Sequence, residues 1–304
     1  MSFSAKFGSL ITAMITPFEE DGSLDTAAVG SLIEHLVQTC TSALLVTGTT
    51  GENPTLTYAE EWELLKLVKE RSQSKVPLIF NAGSNCTRTA IEVAKEAEMH
   101  KVDALMLVSP YYNKPNQEGI YAHFSAVAEK TSLPIMLYNN PGRTASLIEP
   151  ETVLRLVRAY PGRFQAIKES SGQMDLITRL RIEVPEIEIY SGDDNLTLPI
   201  LALGGVGSVS VASHLIGREV QELTRLFLSG DHLEAAKIHY RIFPLVKALF
   251  ASPSPGPVKY LLSVEGICKP YLRLPLTSPA PDVRKALETA YRGLVKLSAF
   301  RFSH

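Results

Sequence analysis

Lys168 ends a short run, Phe164-Gln165-Ala166-Ile167, and is followed by Glu169, two serines and Gly172. The run is too short for a helix and reads as a buried parallel strand with an amine at its C-terminal tip. Desolvation disfavours the charged form of an amine, and the neutral amine is the nucleophile that condenses with a carbonyl to give a Schiff base. The plain alternative is a lysine whose stem snorkels to solvent at a strand end. Other polar residues weigh on the choice. Gly48-Thr49-Thr50-Gly51-Glu52 is a flexible turn whose N–H groups and hydroxyls suit a carboxylate. Tyr111, Tyr112 and Tyr138 offer phenols that can carry the protons of imine formation, and Arg143 offers a bidentate fork for a second carboxylate. Each also has a structural reading: a tight turn, core aromatics with satisfied hydroxyls, a surface guanidinium. Chemistry that uses all of them starts from a carboxylate beside a ketone, a 2-keto acid.

These residues fall in turns that close short apolar runs. Gly8 to Thr16 is the first β-rich run, and Ser42 to Val46 ends in Gly48 to Glu52. Pro77 to Asn81 and Ala104 to Val108 follow, the latter ending in Tyr111 and Tyr112. Pro134 to Leu137 precedes Tyr138 and Arg143, and Gln165 to Lys168 is the sixth strand. Glu186 to Tyr190 and Gly207 to Val211 complete eight. Between them lie helical patterns over Thr26 to Val37, Thr57 to about Glu70, Thr87 to Met99, Gln117 to Lys130, Pro150 to Ala159, from about Met174, Leu196 to Leu203, and from Glu219. Thr57 with Glu60 three residues on has the form of a capping box.

Eight strand-then-helix units predict a parallel (β/α)8 TIM barrel, in which functional residues gather at the C-terminal strand ends. An open doubly wound sheet is the alternative, but it normally carries a glycine-rich phosphate turn after the first strand, which is missing here. After about Ser229 the alternation stops, and helical patterns over Leu233 to Leu249, Val258 to Val264 and Val283 to Leu297 predict a C-terminal helical extension. The expected division is a barrel over 1–229 and an extension packed on it over 230–304.

With 30 Lys+Arg against 32 Asp+Glu and 45% hydrophobic residues, the chain has ordinary globular composition. Its net charge of -2 makes no electrostatic case for nucleic acid or an anionic membrane. Cys40, Cys86 and Cys268 are too scattered for a metal site or a disulfide framework, which suits a reducing, cytoplasmic setting. The apolar Leu10 to Ile15 is followed at once by Pro17 and acids, unlike a signal peptide. Thr197 to Gly217 has no acidic or basic residue except His214, but its glycines break it into buried core pieces rather than a membrane span.

The whole pattern resembles the dihydrodipicolinate synthases, within the pyruvate-dependent aldolase superfamily that includes N-acetylneuraminate lyase. The resemblance rests on Gly48 to Glu52, Tyr111-Tyr112-Asn113-Lys114-Pro115, Tyr138 with Pro141 to Thr144, Ile167-Lys168-Glu169, and Pro255-Gly256-Pro257-Val258-Lys259. It implies a Schiff base between Lys168 and pyruvate, with Tyr138 as proton donor and acceptor. Thr49, Thr50 and Tyr112 are implied in the proton relay, Tyr112 from the neighbouring subunit. Thr50 and Val209 are implied in binding pyruvate, and Arg143 in receiving the carboxylate of aspartate 4-semialdehyde. The implied reaction gives 4-hydroxy-tetrahydrodipicolinate, the entry to diaminopimelate and lysine, with no metal or organic cofactor, in a homotetramer of tight dimers.

Two departures stand out. Asn140 occupies a position where an apolar residue is common, beside Tyr138. In the region of the family's lysine feedback site, Asn85 and Tyr111 match, while Tyr58, Glu61 and Thr89 replace two histidines and a glutamate of the lysine-sensitive type. Two other functions remain open at this point: an aldolase or lyase for a longer keto-sugar acid, and a keto-acid binder without catalysis. Arg143 argues against the first, and a retained proton relay against the second.

Overall fold

The computed structural model describes residues 2–299, and side-chain surroundings up to residue 294. Eight strands close into a parallel barrel in chain order. The chain begins with helix α1 (Phe3–Phe7), β1 (Leu10–Ala13), α2 (Thr26–Gln38), β2 (Ala43–Val46) and α3 (Tyr58–Ser72). Then come β3 (Leu78–Asn81), α4 (Thr87–Met99), β4 (Ala104–Val108), α5 (Gln117–Ala128) and β5 (Ile135–Asn139). A one-turn helix α6 (Pro141–Thr144) and α7 (Pro150–Ala159) lead to β6 (Phe164–Glu169), α8 (Met174–Glu183) and β7 (Glu188–Ser191). Helix α9 (Thr197–Ala202), β8 (Gly207–Ser210), α10 (Ser213–Leu228), α11 (His232–Leu249), α12 (Gly256–Val264) and α13 (Pro281–Ala299) complete the described chain. The eight-strand barrel read from the sequence is therefore the fold.

The strands are short and almost wholly buried, as parallel strands covered on both faces must be. Their apolar runs carry the pattern by which the sequence showed them. Helix α3 starts where Thr57 accepts from the Glu60 N–H while the Glu60 carboxylate accepts from the Thr57 N–H, the reciprocal cap expected. Helix α10 begins earlier than the Glu219 start expected, because Ile216 at φ -133° interrupts two helical segments that run together. Helices α1 and α6 were not foreseen. They have five and four residues, too few to show a helical period. No helix among the described residues is long and apolar enough to cross a membrane.

The chain falls into two compact units. The first comprises Met1–Ile11, Ser42–Val46 and Pro77–Ser210, and so holds seven complete strands and the start of β1. Within it, Gly207 is required by close approach. A Cβ there would lie 2.0 Å from the Ser9 carbonyl oxygen, whose neighbouring Ser208 N–H donates to that same oxygen at 2.8 Å.

The second unit comprises Thr12–Thr41, Thr47–Val76 and Val211–His304. Its most costly feature is a buried ion pair between Lys259 of α12 and Glu52, both with side chains fully shielded from water. Taking two charges out of water is repaid only when the remaining polar atoms are satisfied. Here Lys259 Nζ reaches Glu52 Oε1 at 2.5 Å and donates to the Tyr271 carbonyl at 2.9 Å. The other Glu52 oxygen accepts from the Arg273 N–H at 3.0 Å. Lys259 Nζ and the Arg273 guanidinium also lie 4.2 and 4.5 Å from the centre of the Phe18 ring. Arg273 binds Glu60 and the carbonyls of Gly22 and Thr55, so α3, the 53–56 turn and the loop after α12 share one network. Replacing Lys259 with Met strands the Glu52 carboxylate. Lys259→Met is expected to lower unfolding free energy by about 3–5 kcal/mol in urea titrations, and adding Glu52→Gln to recover part of that loss.

Candidate active site

Strands β5 and β6 pair in parallel with Tyr138 opposite Lys168 and Asn139 opposite Glu169. Residues opposite one another in a ladder point to the same face, so the register alone places the phenol beside the amine. Lys168 Nζ lies 4.2 Å from the centre of the Tyr138 ring. Both side chains are buried, at 7% and 4% exposure. On the alternate face, Asn139 Nδ2 donates to Glu169 Oε2 at 2.9 Å, and the Ser171 N–H donates to the other oxygen at 2.6 Å. Burial pushes the Glu169 carboxyl above its ordinary range, and these two donors oppose the shift.

The Lys168 stem is held from β7's side by Gly192. A Cβ on Gly192 would fall 1.9 Å from Ser170 Oγ, 2.9 Å from Lys168 Cε and 3.0 Å from Lys168 Cγ. Only a glycine lets the backbone pass so close to the amine's stem.

The next residue, Asp193, stands in the turn Ser191-Gly192-Asp193-Asp194 that closes the seventh apolar run. It belongs to the electrostatics of the site. Burial pushes its carboxyl up to about 6, the Lys168 and Arg143 cations pull it down, and Asp194 pushes it up again. The signal was faint in sequence, because nothing in Ser191-Gly192-Asp193-Asp194 shows that two distant cations act on the first acid. Asp194 is itself buried and hydrogen-bonded by Ser210 Oγ.

Arg143 is exposed on α6, whose first turn is capped by Asn140. The Arg143 N–H donates to Asn140 Oδ1 at 3.1 Å, and Asn140 Nδ2 donates to the Tyr138 hydroxyl at 2.8 Å. Val209 is buried in β8. Tyr112 is 89% exposed beyond β4, and its φ of +71° is a conformation that side chains rarely adopt. Thus Lys168, Tyr138, Arg143, Asn140, Gly192 and Asp193 form one connected group in the first unit.

Thr49 and Thr50 belong to the second unit, in a 3-10 turn over Thr49–Gly51. Thr50 is buried, and the turn is tied down by Thr16 Oγ1, which donates to the Gly51 carbonyl at 2.6 Å. Glu52, at φ +56°, ends the turn and anchors it to Lys259.

The five residues of the expected effector region divide between the units. In the first, Asn113 Nδ2 donates to the Asn85 carbonyl at 2.8 Å, Tyr111 is 39% exposed, and Thr89 lies in the first turn of α4. In the second, Tyr58 is half exposed and Glu61 is buried in α3, accepting from Asn53 Nδ2 at 2.5 Å. Burial pushes the Glu61 carboxyl up to about 8, so at neutral pH it is largely protonated. A glutamate at this position therefore adds little negative charge at neutral pH. Among the described residues there is no cluster of three or more His, Cys, Asp or Glu that could hold a metal ion.

A closed parallel barrel with a lysine and a tyrosine together at strand ends defines a β/α-barrel of the kind that can do carbonyl chemistry on an amine. Comparison with known proteins narrows this. Residues 6–292 match the model of the dihydrodipicolinate synthetase family. A 4-hydroxy-tetrahydrodipicolinate synthase of Bacillus velezensis is 47% identical over 283 residues, covering 93% of this chain and 97% of that protein. Among solved structures, a dihydrodipicolinate synthase from Cyanidioschyzon merolae with lysine bound superposes with a TM-score of 0.92 at 43% identity, covering 95% of this chain and 98% of the other. A monomeric dihydrodipicolinate synthase variant also reaches a TM-score of 0.92, at 34% identity and with 96% and 98% coverage. The chain belongs to the dihydrodipicolinate synthetase family, a family of lyases.

Asp193 gives the site a pH-dependent stability. With its carboxyl raised from 3.8 to about 6, the folded protein keeps a proton there that the unfolded chain has lost. Its contribution to stability is full below about pH 4 and declines as pH rises to about 6. Asp193→Asn is expected to flatten the pH dependence of the urea midpoint between about pH 4 and 6. An unchanged slope would mean that Asp193 ionises in the fold as it does in the unfolded chain.

Proposed function

We propose that this chain is a 4-hydroxy-tetrahydrodipicolinate synthase, condensing pyruvate with L-aspartate 4-semialdehyde. The observation that carries the reading is the buried Lys168 amine beside the Tyr138 ring on paired strand ends, with Arg143 linked to the same tyrosine through Asn140.

In this reading Lys168 Nζ attacks the pyruvate ketone, and loss of water leaves an imine on the lysine. Removal of a methyl proton gives the enamine, which forms a carbon–carbon bond to the aldehyde of the second substrate. The amine of that substrate then displaces Lys168 from the imine carbon, closing a six-membered ring and freeing the lysine. Every step moves a proton, and Tyr138 is the buried phenol beside the amine that can carry it. By family resemblance, Thr49, Thr50 and Tyr112 extend this relay, and Thr50 and Val209 receive pyruvate. The Arg143 guanidinium takes the carboxylate of the semialdehyde, and Asp193 is the nearby acid suited to its ammonium.

Tyr112, exposed and held at positive φ, is suited to contribute to a neighbouring subunit, and the proposed assembly is a homotetramer of tight dimers in the cytoplasm. A protonated Glu61 and an uncharged Thr89 offer lysine little for its ammonium groups, which supports weak feedback by lysine.

The test is a coupled assay with pyruvate and aspartate 4-semialdehyde beside a panel of keto-sugar acids. Turnover is expected with the semialdehyde and not with N-acetylneuraminate; the reverse preference would overturn the reading. In the same assay Arg143→Ala is expected to raise KM for the semialdehyde at least tenfold, the scale of a lost charge-assisted pair, while KM for pyruvate changes little. An equal rise for both substrates would remove Arg143 from the acceptor end.

A further inference from the structure

We propose that Asn140 is a positioning residue that fixes the direction of the Tyr138 hydroxyl and ties it to the helix bearing Arg143. The inference rests on the reading of Tyr138 as proton carrier.

The direction of the Asn140 amide follows from the backbone. A peptide N–H can only donate, and the Arg143 N–H points at one side-chain atom of Asn140 from 3.1 Å. That atom must be the oxygen. The atom facing the Tyr138 hydroxyl at 2.8 Å is then the NH2 group, which can only donate. So the phenol oxygen accepts from Asn140, and its own hydrogen must leave in another direction. The Asn140 main chain is held as well, since its carbonyl accepts from the N–H groups of Arg143 and Thr144 and from Thr144 Oγ1 at 2.9 Å. The amide therefore has little freedom to turn over.

Two consequences follow. The phenol proton cannot be lost to an idle bond with residue 140, so it remains available to the reacting centre beside Lys168. When Tyr138 gives that proton up, the Asn140 N–H already points at the oxygen that becomes negative. A hydrogen bond to an ionised acceptor is roughly twice as strong as one to a neutral acceptor, so Asn140 favours the state in which Tyr138 has released its proton. An apolar side chain at this position supplies neither the cap on α6 nor the donor. Because one amide serves both, the acceptor-binding Arg143 and the proton-carrying Tyr138 are set in register by a single residue.

Two substitutions separate the two arms. Asn140→Ser keeps an oxygen that caps α6 but is too short to reach the phenol. Asn140→Asp also keeps the cap but reverses the other arm, because a carboxylate accepts the phenol hydrogen and places a negative charge beside the oxygen. The expected result with pyruvate and aspartate 4-semialdehyde is a fall in kcat of roughly 3- to 10-fold for Asn140→Ser. For Asn140→Asp the expected fall is on the order of 10²-fold, the scale of impaired general acid–base catalysis. KM for pyruvate should change little in either. In a Tyr138→Phe background, Asn140→Ser should have no further effect.

If both variants keep the parent kcat while Tyr138→Phe is impaired, Asn140 is only a helix cap and the inference fails alone. The inference also fails if Asn140→Ser lowers kcat equally with and without the Tyr138 hydroxyl. If Tyr138→Phe itself keeps full kcat, the proton-carrier reading fails, and the inference fails with it.

Discussion

The register of β5 against β6 is the constraint from which the rest of the site follows. Pairing Tyr138 with Lys168 and Asn139 with Glu169 puts the phenol and amine on one face and an amide–carboxylate bond on the other. A slip of one residue would turn each side chain to the opposite face, parting the phenol from the amine and burying Glu169 without its donor. The Asn139–Glu169 bond is thus a lock on the register as well as a partner for a buried acid. Its amide is oriented by the same logic as that of Asn140, since the Ile148 N–H donates to Asn139 Oδ1 at 3.0 Å. Two successive asparagines, each oriented by a backbone N–H, aim their NH2 groups at Glu169 on one face and Tyr138 on the other.

Ionisable groups with shifted or compensated charge recur wherever the chain must hold a turn close to this region or to the second unit's threonine turn. Glu52 is neutralised by Lys259, Asp193 is balanced by Lys168 and Arg143, and Glu61 avoids the cost of burial by keeping its proton. The first solution is electrostatically demanding but rigid, and it anchors the end of Gly48 to Glu52. On the proposed reading that turn receives the keto acid, and donors that bind a carboxylate work best when they already point at it before it arrives.

Much of this was readable from residue types. Lys168 and Tyr138 close apolar runs, so their position at strand ends follows from the barrel pattern alone, and Arg143 falls in the turn after the same run as Tyr138. The capping box of α3 is local and was equally plain. Asp193 was not, because its perturbation comes from two cations brought near by folding and not by spacing. Asn140 was visible as an unusual residue, but its effect depends on which amide atom faces which neighbour, and only the geometry of α6 decides that. The protonated state of Glu61 was likewise hidden, since a lone glutamate in a helix gives no sign that its environment will be dry.

The covalent role proposed for the Lys168 amine can be read out by trapping a keto acid on it. The most direct measurement is mass spectrometry of the digested protein after incubation with pyruvate and borohydride. A single reduced pyruvate adduct is expected on the peptide that contains Lys168, and none in Lys168→Ala. An active enzyme with no adduct, or one carrying it on another lysine such as Lys259, would contradict it.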